Sequence, residues 1–372
     1  MLPLPPPDQP FLSRMLKQRV ISRPALRHQL QLDGTRLRAL VTGGAGFIGS
    51  HLVDRLVDAG HDVIVLDNFS TGRARNLSHT RSRPNFQLVR GDIRRIPRSL
   101  VKRLRRVDGV CHLAALTSVQ ESIKDPVSTT EVNVTGTLNV LAAAKALKAE
   151  RVMFASSAAV YGTPRAFPIS EEASVSPISP YGASKAASEL YLGSFEENHG
   201  IEAFSLRYFN VYGPRQTPSE YAGVISTFAK RALQQQPLQI FGDGSQTRDF
   251  IYVSDVVDAT IAALEKPLKG KVFNIATGSE ITILELAKTV KKITNSGSDL
   301  KLGPPRSGDI ARSVADITKA RNELGFAPRK SLDQGLFATI RWLAQEDHSG
   351  PADRHTPATN AQKKADHRKH TC

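Results

Sequence analysis

The chain is poor in cysteine and aromatics. Of 372 residues, two are Cys (Cys111 and Cys372), one is Trp, and aromatics make up 6%. Two cysteines cannot build a disulfide framework, so a reducing compartment, the cytoplasm, is expected. No stretch approaches the roughly 18 apolar residues that a membrane-spanning helix needs, so no membrane span is expected. No continuous apolar core follows the basic start, which speaks against a secretory signal. The histidines near the C-terminus have no metal-ligand spacing, so no metal is expected. Acidic residues are also scarce, 35 Asp and Glu against 50 Lys and Arg, for a net charge of +15. A hydrophobic content of 40% is nevertheless ordinary for a globular protein and too high for a disordered one.

The positive charge is localised. Residues 1–38 hold seven basic side chains and two acids, and residues 73–106 hold twelve basic side chains and only Asp92. Those two excesses already surpass the net charge of the whole chain, so the remaining body is close to neutral. The head, opening MLPLPPPDQP, favours extended conformations, and residues 1–36 are expected to be an unstructured extension. Residues 345–372, low in apolar side chains, are expected to be a disordered tail. The 73–106 run has Phe86 as its only aromatic, which serves base stacking poorly, so a nucleic-acid partner is not expected.

The body opens with a pattern of strand, glycine turn, helix, strand and acid. Leu37–Thr42 is a short apolar run, Gly43-Gly44-Ala45-Gly46-Phe47-Ile48-Gly49 a turn, and Ser50–Ala59 a helix with Leu52, Val53, Leu56 and Val57 on one side. His61–Leu66 is a second strand, ending at Asp67, which lies 24 residues after Gly43. Glycines let the backbone approach a pyrophosphate resting on a helix N-terminus, and a carboxylate at this distance accepts ribose hydroxyls of NAD. Arg73 and Arg75 keep NADP as an alternative. Further strand and helix units follow, with Gly91-Asp92-Ile93 and His112-Leu113-Ala114-Ala115-Leu116 at strand ends and Asn133 opening a helix over 134–147. Such alternation predicts an α/β, doubly wound parallel sheet of Rossmann type.

A second constellation follows. Strand 151–157 ends in Ser156-Ser157, and 24 residues after Ser157 come Tyr181 and Lys185, four apart on one helix face behind Pro180. A free phenol, with a pKa near about 10, is a poor base at neutral pH, and an adjacent ammonium favours its ionised form. Ser157 is placed to hydrogen-bond the same substrate oxygen. This set makes an enzyme, rather than a nucleic-acid binder reusing the fold, the expected class.

Together the G-x-x-G-x-x-G turn, Asp67 and the Ser157/Tyr181/Lys185 set resemble the extended short-chain dehydrogenase/reductase superfamily. From about Leu37 to Trp342 the chain is similar to its NAD-dependent epimerase/dehydratase members, and nearest to the 4-epimerases of UDP-glucose and UDP-N-acetylglucosamine. The segments Arg207–Gln216, Gly242–Phe250 and Arg306–Asp309 carry the narrower likeness. The resemblance implies tightly bound NAD contacted by Gly43, Gly46, Phe47, Ile48, Gly49, Asp67, Asn68, Ser70, Thr71, Gly72, Asp92, Ile93, Leu113, Ala114, Ala115, Thr117, Asn133, Tyr181, Lys185 and Tyr208. It implies a UDP-sugar held by Ser118, Ser157, Asn210, Gln216, Gly223, Val224, Gln239, Ile240, Phe241, Arg248, Arg306, Asp309 and Ser313. The arginines suit phosphate oxygens. Related 4,6-dehydratases carry Thr-Asp-Glu where this chain has Ser156, Ser157 and Ala158, and decarboxylases carry Ser-Glu near Ala158 and Ala159. Their absence favours redox-neutral 4-epimerisation through a 4-keto sugar, with hydride passing to NAD and back. Dehydratase, decarboxylase and reductase activities are the alternatives.

Ser313 matches the position where a tyrosine restricts some family members to UDP-glucose and UDP-galactose, so N-acetylated sugars are expected to fit. Ser122, Gln216 and Thr117 share that likeness. The same resemblance implies a homodimer paired through the helices near 130–148 and 180–199. It also implies an NAD-binding domain (37–210 and 239–278) and a discontinuous UDP-sugar lobe (211–238 and 279–343).

Overall fold

The computed structural model describes residues 36–216, 223–266, 268–305 and 309–348. The basic head, most of the tail and Arg306 lie outside the described residues.

In chain order the first half is β1 (Arg38–Thr42), α1 (Phe47–Asp58), β2 (Asp62–Asp67), a 3-10 turn (Ala74–Leu77), β3 (Phe86–Arg90), α2 (Arg98–Leu104), β4 (Gly109–His112), α3 (Val119–Lys124), α4 (Pro126–Thr130), a π-helical turn (Glu131–Thr135), α5 (Gly136–Ala146), β5 (Arg151–Ser157), a 3-10 turn (Ala158–Tyr161), α6 (Pro180–His199) and β6 (Glu202–Tyr208). The second half is β7 (Asn210–Tyr212), α7 (Val224–Leu233), β8 (Leu238–Phe241), β9 (Thr247–Arg248), β10 (Phe250–Tyr252), α8 (Val253–Glu265), β11 (Val272–Ile275), β12 (Ile281–Thr282), α9 (Ile283–Thr294), β13 (Leu300–Gly303), α10 (Thr318–Leu324) and α11 (Leu332–His348).

Seven strands form one sheet in the order β11-β6-β5-β4-β1-β2-β3, and every pairing in it is parallel. Runs such as DVIVLD in β2 and RVMFASS in β5 are buried along almost their whole length, as expected of strands covered on both faces. One face packs Leu52, Val53, Leu56 and Val57 of α1 with Val256, Ala259 and Ala263 of α8 and Leu324 of α10. The other packs Leu100 and Leu104 of α2, Val140, Leu141 and Ala144 of α5, and Leu192 of α6. This is the doubly wound sheet that the alternation predicts.

A third core gathers Tyr212, α7, Ile240, α9 and Leu336, Ile340 and Leu343 of α11, so the lobe is assembled from separated segments. Three details differ from the sequence expectation. β8 pairs with β13 in its own two-stranded sheet, and its alternate residues Leu238 and Ile240 enter this third core, so residues 239–241 group with that core rather than with the large sheet. The helix placed at 134–147 begins earlier, running from α4 through the π turn into α5. Finally, α11 continues to His348, four residues into the segment read as tail.

Candidate active site

The glycine turn at the end of β1 is shaped by close approaches. Gly43 has φ +72, and a Cβ there would lie 2.7 Å from Ala114 N; a Cβ on Gly49 would lie 2.2 Å from Gly43 O. A Cβ on Gly46 would meet only Gly43 O, at 3.1 Å, so space opens directly before α1. No side chain caps α1 at Gly46, which leaves its N-terminal N–H groups and dipole for an anion. Asp67 accepts from Ala45 N at 2.9 Å and Phe69 N at 2.7 Å. Burial pushes its carboxyl up, and the two N–H donors partly offset that. The following loop is tied back to the turn: Arg73 N and Asn76 Nδ2 both donate to Ala45 O. Asn68 Nδ2 donates to Asp92 Oδ2 at 3.1 Å, and hydrogen bonds from Arg94 hold Asp92 down at about 2. A glycine cradle, an uncapped helix start and an oriented carboxylate together fit a dinucleotide.

β4 and β5 bring the second constellation beside the cradle. Ser179 caps α6 by accepting from Gly182 N, with Pro180 at the first helical position. Tyr181 N donates to Ser122 Oγ at 3.1 Å, and Ser122 is buried. Lys185 Nζ donates to Ala155 O at 2.7 Å, 4.7 Å from the Phe154 ring centroid and 5.9 Å from that of Tyr181. Burial pushes the Tyr181 phenol up, and hydrogen bonding with Ser157 counters it. Burial also drives the Lys185 ammonium down to about 7, against the opposing pull of Glu189.

The Lys185 shift has a measurable consequence. Lys185 titrates near about 7 in the fold and near 10.5 unperturbed, so between those values the unfolded chain binds more protons and stability rises with pH. The contribution is complete above the unfolded value and lost as pH falls through the folded one. Urea midpoints from about pH 6 to about pH 9 should therefore show the wild type gaining stability over Lys185→Met as pH rises. Parallel profiles would show that Lys185 stays charged in the fold.

Eight of the thirteen residues expected at the UDP-sugar lie around one open cleft of about 1100 Å³, mouth included. It is lined by Asn210, Gln216, Gly223, Val224, Gln239, Phe241, Arg248 and Asp309 from the expected set, together with Gln246, Phe250 and Thr227. Gly223 precedes α7, which also lacks a side-chain cap. Arg248 donates to Ile310 O at 2.6 Å and forms an ion pair with Asp309.

Residues 39–276 match the NAD dependent epimerase/dehydratase family. The chain belongs to that family. A UDP-glucose 4-epimerase of Mycolicibacterium smegmatis is 41% identical over 310 residues, spanning 82% of this chain and 98% of that protein. A UDP-glucuronic acid decarboxylase 1 of Arabidopsis thaliana is 40% identical over 306 residues, 81% of this chain and 68% of the relative. Among solved structures, the UDP-N-acetylglucosamine 4-epimerase of Methanobrevibacter ruminantium M1, in complex with UDP-N-acetylmuramic acid, superposes with a TM-score of 0.80. It shares 38% identity and covers 84% of this chain and 99% of that one.

Within this family member several expected site residues have protein partners of their own. Tyr208 turns into the core beneath α8, its hydroxyl 2.8 Å from Thr260 Oγ1, so its side chain does not face the cradle. Ile240 points into the lobe core for the reason given by β8. The Ile93 side chain packs against Gly136 in the core. Ser118 caps α3 by accepting from Glu121 N. Asn133 braces the loop after β4, accepting from Leu116 N at 2.8 Å and donating to Leu116 O and Ser184 Oγ, both at 2.9 Å. Ser313 is buried and does not line the open cleft.

The structure also shows participants that sequence spacing did not reveal. Glu189, eight residues after Tyr181 on α6, accepts from Ser156 Oγ at 2.5 Å and from Arg207 Nε and Nη2 at 3.0 and 2.7 Å. The Arg207 guanidinium lies 4.7 Å from the Tyr161 ring centroid. Burial works against the charge of Arg207, but the Glu189 carboxylate outweighs it and raises its pKa. His112 sits between Thr42 Oγ1 at 2.7 Å and Thr137 Oγ1 at 2.9 Å, and burial, aided by Lys185, depresses it to about 3, so it is a neutral structural imidazole.

Proposed function

We propose that the protein is a UDP-hexose 4-epimerase that works without net oxidation. The observation that carries this reading is the meeting of Ser157, Tyr181 and Lys185 at the end of β5 with Ala158 and Ala159, not carboxylates, at the adjoining turn. Bound NAD would supply the two-electron acceptor and donor at the sugar carbon, and residues of the glycine turn, Asp67 and Lys185 would hold it. Tyr181 Oη takes the proton of the sugar 4-hydroxyl and later returns it. Ser157 Oγ orients that oxygen and, by hydrogen bonding to the phenol, opposes the effect of burial. A protonated Lys185 close to the Tyr181 ring favours the phenolate further.

Asn210, Gln216, Arg248 and the start of α7 anchor the nucleotide diphosphate, with Arg248 exchanging part of its pairing with Asp309 for phosphate. Arg306, outside the described residues, is proposed as a second phosphate ligand. Both plain and N-acetylated hexoses are proposed substrates, because the similar proteins include both a UDP-glucose 4-epimerase and a UDP-N-acetylglucosamine 4-epimerase; Ser313, buried away from the cleft, does not carry that choice. α3, α4 and α6 leave Val119, Ile123, Val127, Leu190 and Tyr191 exposed, and a second copy of the chain is the proposed cover for this apolar face.

The identity with a UDP-glucuronic acid decarboxylase favours one second reading, decarboxylation of UDP-glucuronate. Purified protein incubated separately with UDP-glucose, UDP-N-acetylglucosamine and UDP-glucuronate distinguishes the two. The expected result is the C4 epimer of one or both hexoses, with bound cofactor identified as NAD and no accumulation of NADH. Release of carbon dioxide from UDP-glucuronate without epimer formation would establish the second reading, and steady NADH production would indicate a dehydrogenase.

A further inference from the structure

The turn that follows β7 is fastened to the helix that starts at the glycine cradle. On α1, His51 and Asp54 lie three residues apart and share one face. His51 Nε2 donates to Pro214 O at 3.0 Å. The next residue, Arg215, forms an ion pair with Asp54, Nη1 to Oδ2 at 2.6 Å, with the two side chains only 20% and 14% exposed. His79 Nε2 closes the other side of Asp54 at 3.2 Å. Arg215 adopts φ +68, the left-handed region that ordinary side chains avoid, so surrounding contacts hold it there. Gln216, the next residue again, lines the cleft. Its Nε2 donates to Val211 O at 3.1 Å and its Oε1 accepts from Ser226 Oγ at 2.6 Å.

We propose that Arg215 is a positioning residue for the UDP-sugar: its ion pair with Asp54 locks the β7 turn to α1 and so sets Gln216 in the cleft relative to the cradle. This rests on the UDP-sugar reading above. Neither Arg215 nor Asp54 lines the cleft, so each acts through the turn.

The test is calorimetric binding of UDP to the NAD-loaded protein, alongside steady-state kinetics. Arg215→Gly accepts the positive φ while removing the whole side chain, so the ion pair is lost at a residue that keeps the turn's backbone shape. The expected result is that Arg215→Gly and Asp54→Asn each weaken UDP binding and raise KM by about tenfold, with kcat within about twofold, and that the double variant is no worse than either single one. Arg215→Lys should recover part of the loss. Wild-type UDP affinity in Arg215→Gly, or an Arg215→Gly defect that Asp54→Asn does not share, overturns the proposal, the second outcome pointing to direct contact between the guanidinium and the ligand. Absence of UDP binding to the wild type overturns the UDP-sugar reading itself and is distinguishable from both. Asp54→Asn preserves side-chain shape, so the test survives if a variant at 215 does not fold.

Discussion

Tyr181→Phe is expected to lower kcat by about 10²- to 10⁴-fold, the usual contribution of a positioned general acid–base group. Removing one oxygen from a buried ring leaves the packing intact, and the hydrogen bond from the residue 181 backbone to Ser122 does not involve the hydroxyl. Fold, cofactor content and UDP affinity should therefore match the wild type, which confines the loss to the proton-transfer step. The measurement is epimer formation at saturating substrate with the bound nucleotide quantified. A fall of less than about tenfold would remove Tyr181 from the acid–base role and direct attention to water held by Ser157.

The second large effect is on stability. Glu189→Ala leaves the Arg207 guanidinium, whose side chain is 5% exposed, without its carboxylate, and deprives Ser156 of its acceptor. Breaking one side of such a buried pair costs about 3–5 kcal/mol. In a chain of this size that corresponds to roughly 10 °C in the melting temperature. Denaturation midpoints for Glu189→Ala should fall accordingly, with Glu189→Gln in between because it retains an acceptor. The exposed pair of Arg106 and Glu150, 2.7 Å apart, gives the contrast: its loss should cost no more than about 1 kcal/mol. Equal effects at the two sites would mean that the Arg207 network is better solvated than its burial implies.

What the sequence disclosed and what it hid separate along a physical line. The cradle was legible because all its determinants are local: glycines at fixed spacing, an amphipathic helix and an acid ending the next strand. Tyr181 and Lys185 were legible for the same reason, four residues apart on one helix. Glu189 was not, because on α6 it reads as one more acid, and its meaning comes from Arg207 and Ser156 on neighbouring strands of the sheet. Tyr208 was misassigned because a strand alternates sides at every residue, and family likeness alone does not tell which side the tyrosine takes. β8 was placed with the wrong half because its partner β13 lies some sixty residues further along, and nothing local announces that pairing. Arg215 drew notice as part of a motif, yet its partner Asp54 sits 161 positions earlier in the chain.

The strand order also sets the sequence in which the molecule is built. A chain leaving the ribosome has produced the glycine turn, Asp67, Ser157, Tyr181 and Lys185, and six of the seven strands of the sheet, by Tyr208. Until β11 emerges at Val272, β6 has no neighbour on its outer side and offers a bare hydrogen-bonding edge to any other extended chain. The cleft comes later still, since its walls lean on a core that is complete only at Leu343 of α11. Synthesis therefore delivers the glycine turn and most of the large sheet early and the cleft last, and the interval between them is when a nascent chain has most to gain from a chaperone.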